Sequence, residues 1–292
     1  QYFDNHPKLH YFSHGVNTNF FNPGVLDRID VVGHKLLCVA NNGFANDQGF
    51  DRKGFSYAIQ AAKILNLPIT VVGPSNNKNF FERYKNTYDK LNLIFDVNEE
   101  ELLKIYQEHT IFLHPSILEA GHPNLTLLEA MACGLPVIAT YEGGNRLPGL
   151  ITIERDIKQI VQRIVFVINN YDNIRETVLT TAEEHSFENI AEVLVAISVV
   201  LMSQGNNNEA IRISKLVEPL SCGLNKERIL SEMYSQFSEI LFDRGKKDEA
   251  LHFFGMIKTR DGRVFQTGSH MIKKLIGFNK IQESIELADL LQ

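Results

Sequence analysis

Between residues 35 and 184, short runs of consecutive apolar residues alternate with stretches whose apolar positions recur every three or four residues. The runs at 36–40, 69–73, 93–95, 111–114, 137–140 and 150–153 are rich in Val, Ile and Leu and too short for helices, so they predict strands covered on both faces. The helical patterns fall at 55–65, 79–90, 99–108, 125–133, 157–169 and 173–184. Asn98 before Glu99, Glu100 and Glu101 makes an N-cap with an acidic first turn, and Gly134 stops the helix over 125–133. This alternation predicts an α/β domain over 31–188, a doubly wound parallel sheet that binds ligands at the carboxyl ends of its strands. Residues 1–30 read as a leading linker, with a short strand at 9–12 and a Gly/Asn/Pro turn region behind it.

From residue 189 onward the pattern is helical throughout, giving an all-α domain over 189–292. Gly205-Asn206-Asn207-Asn208-Glu209-Ala210-Ile211 recurs as Gly245-Lys246-Lys247-Asp248-Glu249-Ala250-Leu251 at an offset of 40, and again near Asn279–Ile285 at an offset of 34. The step and the G-x-x-x-E-A-I/L signature resemble tetratricopeptide repeats, helix pairs that bury their apolar faces only against neighbours. Such repeats imply a peptide-binding groove or a surface for self-association. A helical cap without repeats is the plainer alternative.

Chemistry concentrates between Leu118 and Thr140, LEAGHPNLTLLEAMACGLPVIAT. A polar Gly/Pro loop (119–124) leads into a short apolar helix carrying Glu129, then into a buried strand. Loop N–H groups, including those at Gly121, Asn124 and Leu125, together with the positive helix end would hold an anion. Ionised carboxylates are natural acceptors for vicinal diols, so Glu129 would take a ribose and Glu119 the hydroxyls of a sugar. A second loop, 41–54, ends in the basic pair Arg52-Lys53 followed by Gly54. A cation beside a helix N-terminus is unfavourable by itself, but it is useful where a diphosphate gains charge as its ester bond breaks. Gly73 ends a strand where a ligand could approach the backbone closely. His122 reads as polar packing in the loop rather than as a general base.

The string HPSILEAGHPNLTLLEAMACGLPVIAT resembles the nucleotide-sugar signature of GT-B glycosyltransferases of the retaining family-4 type. His14-Gly15-Val16-Asn17-Thr18-Asn19-Phe20-Phe21-Asn22-Pro23 resembles the segment by which those enzymes enter their second domain. The resemblance implies the Rossmann-like half of a GT-B enzyme, with the acceptor-binding half preceding this sequence. It implies transfer of a sugar from a nucleotide-diphosphate sugar, a UDP-sugar being favoured, to a hydroxyl acceptor with retention. It also implies catalytic roles for Lys53 and Glu119. Diphosphate contacts fall to Arg52, Lys53 and Gly54, ribose contacts to Glu129, and backbone contacts to the nucleobase around Val97. Two departures stand out: Asn41 occupies the place of an expected Arg, for which Arg52 compensates, and nine residues separate Glu119 from Glu129, two more than the family has. Glu142-Gly143-Gly144-Asn145 resembles the Gly-Gly turn that approaches the sugar from its other side.

Composition narrows the classes. A net charge of -6 opposes a nucleic-acid binder held by phosphate contacts. No apolar run is long enough to span a bilayer, and three scattered cysteines suit a reduced, cytoplasmic setting. The sequence has no Walker loop, no G-x-G-x-x-G after the first strand and no H-E-x-x-H. It also lacks any D-x-D triplet, so no metal and no separate cofactor are expected. Two alternatives stand beside the transferase. One is a non-catalytic scaffold that keeps the domain and uses its repeats for partners, and the other is a nucleotide-sugar epimerase, for which acid/base residues are sparse.

Overall fold

The structure, a computed structural model, describes residues 14–24, 33–39, 51–75, 83–117, 124–140, 147–220, 225–257, 267–268 and 271–272. The chain divides into two compact units, Gln1–Ser186 and Phe187–Gln292.

In the first unit six strands form one wholly parallel sheet: β1 (Leu36–Val39), β2 (Ile69–Gly73), β3 (Leu91–Phe95), β4 (Ile111–His114), β5 (Val137–Thr140) and β6 (Ile151–Ile153). Their order is β3-β2-β1-β4-β5-β6, so the winding reverses between β1 and β4. Leu36 lies opposite both Ile69 and Ile111, and β1, β2, β4 and β5 are buried along their whole length. Continuous apolar runs are what a strand covered by helices on both faces requires. The helices are α1 (Phe55–Leu65), α2 (Glu99–Gln107), α3 (Leu125–Ala132), α4 (Ile157–Asn169) and α5 (Tyr171–Glu184).

Asn98 makes the expected cap and more. Its side chain accepts from the Glu101 N–H at 2.9 Å while the Glu101 carboxylate accepts from the Asn98 N–H at 3.0 Å, a full capping box. Gly134 adopts φ 73 after α3, where a left-handed residue ends the helix.

The helix expected over 79–90 does not form in its described part. Residues 83–87 are turns, with the Thr87 N–H bonded to Tyr84 O at 2.8 Å. Tyr88 is buried and donates its hydroxyl to Leu67 O at 2.7 Å, and the Lys90 carbonyl accepts from the Ile69 N–H at 3.1 Å. Pairing with β2 thus takes the backbone at Lys90, and β3 starts at Leu91, two residues earlier than the pattern suggests. The expected strand at 9–12 lies outside the described residues. Segment 14–24 is tied to the domain's end by a bridge between Val16 and Ser186, with the Val16 N–H bonded to His185 O at 2.9 Å.

The second unit holds α6 (Phe187–Ser203), α7 (Asn207–Ser214), α8 (Val217–Leu220), α9 (Asn225–Asp243) and α10 (Lys247–Gly255) around a core that includes Leu194, Met202, Met233, Phe237 and Leu241. The two repeated strings fold alike. Gly205 (φ 87) and Gly245 (φ 74) end α6 and α9, with matching bonds from Gly205 N–H to Met202 O and Gly245 N–H to Phe242 O. The next residues, Asn206 and Lys246, donate to Leu201 O and Leu241 O, which completes a Schellman turn in each. Ala210 and Ala250 are fully buried at equivalent places. Arg244 links the two turns, donating to Met202 O at 2.7 Å and to Ser203 O. The third string, near 279–285, lies outside the described residues. Among the described residues, no helix is long and apolar enough to cross a membrane.

Candidate nucleotide-sugar site

The strand order fixes where a site can form. In a doubly wound sheet a crevice opens outside the carboxyl ends of the strands where the winding reverses, here between β1 and β4. The loop ending in Arg52-Lys53-Gly54 follows β1, and the loop that starts α3 follows β4, so the two stretches meet there.

They are stitched together. The Ile117 N–H donates to Arg52 O at 3.0 Å, and the Arg52 guanidinium donates back to Ile117 O at 3.5 Å. The Thr140 hydroxyl donates to Ser116 O from β5. Gly54 has φ 73, and a Cβ there would lie 2.1 Å from Pro115 O, so both backbone conformation and space demand glycine. Lys53 is only 7% exposed, so the plain alternative of a solvated surface lysine does not describe it.

The helix end beside Lys53 carries its own anion. Asp51 Oδ1 accepts from the Gly54 and Phe55 N–H groups at 2.7 and 3.1 Å. Asp51 Oδ2 accepts from the Ser56 N–H at 2.8 Å and its hydroxyl at 2.6 Å. The first amides of α1 are therefore filled, and Asp51 complements the helix dipole that made a neighbouring lysine look costly. The acid just ahead of the basic pair was the signal for this cap in the sequence.

The start of α3 differs. Asn124 Oδ1 accepts from the Thr126 N–H at 3.1 Å and from its hydroxyl at 2.9 Å. No described residue accepts from the Leu125 N–H, and Leu125 is 49% exposed. Glu129, one turn further on, is half-buried, and its Oε2 accepts from the Tyr106 hydroxyl at 3.0 Å. Burial pushes its pKa up, the Tyr106 hydrogen bond pulls it part of the way back, and Glu99 pushes it up again. Tyr106 is fully buried, edge-on to Phe21 with ring centroids 6.0 Å apart, so its hydroxyl is held by packing. No local pattern links these residues, which are 23 apart in sequence.

Gly73 and Val97 sit at the tips of β2 and β3, away from the reversal point. Asp96, left-handed at φ 53, donates its N–H to Gly73 O at 3.2 Å. Its carboxylate accepts from the Ser75 N–H at 2.8 Å, and hydrogen bonds from Ser75 hold its pKa below the usual carboxylate value. Glu119 and Gly121 lie outside the described residues, as do Asn41, His122 and the Gly-Gly turn at 143–144. Among the described residues, no group of three or more His, Cys, Asp or Glu could hold a metal ion.

Lys53 thus stands buried in the loop after β1, while the Leu125 N–H and the half-buried Glu129 belong to the first turns of α3, the helix after β4. A diphosphate and a diol are the chemical groups that suit such a set.

Comparison with known proteins follows the same segment. Solved structures similar to this chain include sucrose-phosphate synthase (tll1590) from Thermosynechococcus elongatus, at 20% identity and TM-score 0.46, covering 57% of this chain and 47% of that one. Another is the C-terminal domain of a glycosyl transferase group 1 family protein (LpcC) from Francisella tularensis, at 20% identity and TM-score 0.45, covering 57% and 94%. The catalytic domain of cholesterol-alpha-glucosyltransferase from Helicobacter pylori is matched at 18% identity and TM-score 0.40, covering 52% and 97%. The chain thus spans about half the length of the first of these and nearly all of the two single domains. No curated protein matches the sequence. Residues 47–184, which carry Lys53, Gly54, Asn124 and Glu129, match the family of glycosyl transferases group 1.

Proposed function

We propose that the first unit is the nucleotide-sugar-binding domain of a hexosyltransferase, which moves a sugar from a nucleotide-diphosphate sugar to a hydroxyl acceptor with retention. The observation that carries this reading is Lys53, nearly excluded from water in the loop that follows β1, where the winding of the sheet reverses and the neighbouring Arg52 is bonded to Ile117 beyond β4. A lysine there offsets the charge that develops on the leaving diphosphate without a metal ion. Glu129 accepts from the ribose hydroxyls, with Tyr106 orienting its carboxylate. The Leu125 N–H and the positive end of α3 face the same anion. Glu119 is assigned to the sugar hydroxyls, and Arg52 and Gly54 to the wall of the phosphate site. A UDP-sugar remains the favoured substrate. Groups that bind the acceptor belong to a partner half outside this domain, and the helical unit, read as TPR-like, offers a surface for a protein partner or for self-association. A cytoplasmic setting fits the reduced cysteines.

Titration calorimetry with UDP, GDP and ADP tests the reading. One of them should bind, and Glu129→Ala and Lys53→Ala should each weaken it by roughly 10- to 100-fold, the usual worth of a hydrogen bond to a charged group. A specific observation favours a second reading: Asp51 already fills the amides of α1, as it would in a scaffold that keeps the fold without the ligand. Absence of binding by all three nucleotides, or binding indifferent to both substitutions, selects that scaffold.

A further inference from the structure

Where the loop after β1 meets the end of β4, three backbone carbonyls converge: Asp51 O, Arg52 O and Pro115 O. Backbone N–H groups reach two of them, Gly54 to Asp51 O at 3.3 Å and Ile117 to Arg52 O at 3.0 Å, while Pro115 has no N–H of its own to offer. One side chain from the far edge of the sheet completes the junction. Arg155, in the turn between β6 and α4, donates Nε–H to Pro115 O at 2.8 Å. A terminal nitrogen of the same guanidinium donates to Arg52 O at 2.8 Å and to Asp51 O. The guanidinium lies over the Tyr57 ring, 5.1 Å from its centroid, on the first turn of α1. The bonds to Arg52 O and Asp51 O bridge 103 and 104 positions of sequence, and the bond to Pro115 O bridges 40. They fall on the two residues that precede Lys53 and on the carbonyl that crowds Gly54.

We infer that Arg155 is a positioning residue for Lys53. Its planar fork fixes the backbone on which the lysine stands, so the ammonium is presented to a diphosphate without an ordering cost on binding. The inference rests on the nucleotide-sugar reading given above. Its chemical content is narrow: Arg155 matters to the phosphates of a ligand and not to its nucleoside, which belongs to Glu129.

Affinities of UDP, GDP and ADP relative to uridine, guanosine and adenosine, measured by calorimetry on the full chain, test it. The wild-type chain should favour one diphosphate over its nucleoside. Arg155→Lys keeps the charge but not the fork, and it should cut that preference about tenfold while leaving nucleoside affinity unchanged. Tyr57→Leu removes only the ring beneath the guanidinium, and it should cut the preference by roughly threefold in a folded chain even if Arg155→Lys does not fold. Combining Arg155→Lys with Lys53→Met should lose no more than Lys53→Met alone, because both act through one group. A preference untouched by Arg155→Lys and Tyr57→Leu overturns the inference and leaves the site reading intact. So does an equal loss of diphosphate and nucleoside, which is what a merely structural arginine would give. A wild-type chain with no preference for any diphosphate sinks the site reading and the inference with it.

Discussion

Glu129 shows what partial burial costs a single carboxylate. Half-burial raises its pKa above the ordinary 4.5, and the fully buried Tyr106 hydroxyl offsets part of that rise. A carboxyl group whose folded pKa is raised contributes stability that is complete below the unfolded value and lost as pH climbs through the folded one. Glu129→Gln removes that loss. Thermal melts across pH 4 to 8 should show the variant gaining on the wild-type chain as pH rises above about 4.5, while its nucleotide affinity falls. A ligand that needs the carboxylate binds less well as pH drops through the raised pKa. Tyr106→Phe takes away the hydrogen bond that lowers it, so the acid limb of a binding titration should move to higher pH. An unmoved acid limb would show that Tyr106 does not tune Glu129. Only one half of this pair was legible beforehand. The sequence marks Glu129 as a carboxylate in a short apolar helix, but only packing on Phe21 and Phe112 brings the tyrosine to it.

Among the elements, the start of α1 is the most informative. The sequence marks it with a glycine behind two cations and predicts the helix from Phe55 onward, and the helix runs over Phe55–Leu65. It does not reveal that Gly54 is forced by Pro115, the residue just after β4. Gly54→Ala places a Cβ 2.1 Å from that carbonyl at φ 73, and the left-handed conformation alone costs roughly 1–2 kcal/mol. Chemical denaturation should therefore show a loss of at least about that size, with nucleotide binding reduced in the fraction that stays folded. A denaturation midpoint equal to wild type would mean that the loop has room to move. The segment before β3 teaches the opposite lesson. Tyr84 and Tyr88 have helical spacing, yet the buried hydroxyl of Tyr88 and the pairing of Lys90 with Ile69 hold the chain in turns. Periodicity reports a burial pattern, and a long-range hydrogen bond can impose the same pattern on a turn.

At the scale of the molecule, the two units have separate cores, one around the sheet and one around α6, α9 and α10. A chain ended after Ser186 keeps the whole first core and the bridge from Val16 to Ser186. It should melt cooperatively and bind nucleotide as the full chain does. Aggregation of that shortened chain, or loss of its nucleotide binding, would show that the helical unit supports the sheet. The sequence by itself determined the strands, most helices, the helix ends at Asn98 and Gly134 and the wound parallel character of the sheet, because these follow from periodicity and turn chemistry within a dozen residues. It also singled out Lys53 and Glu129, because a charge in a glycine-rich loop or an apolar helix stands out against its neighbours. Only the tertiary structure decided what holds them: Tyr106 beneath Glu129, and Arg155 reaching two carbonyls from over 100 residues away and a third from 40. Such partners satisfy buried polar groups wherever the fold happens to bring them, and no local pattern encodes that meeting.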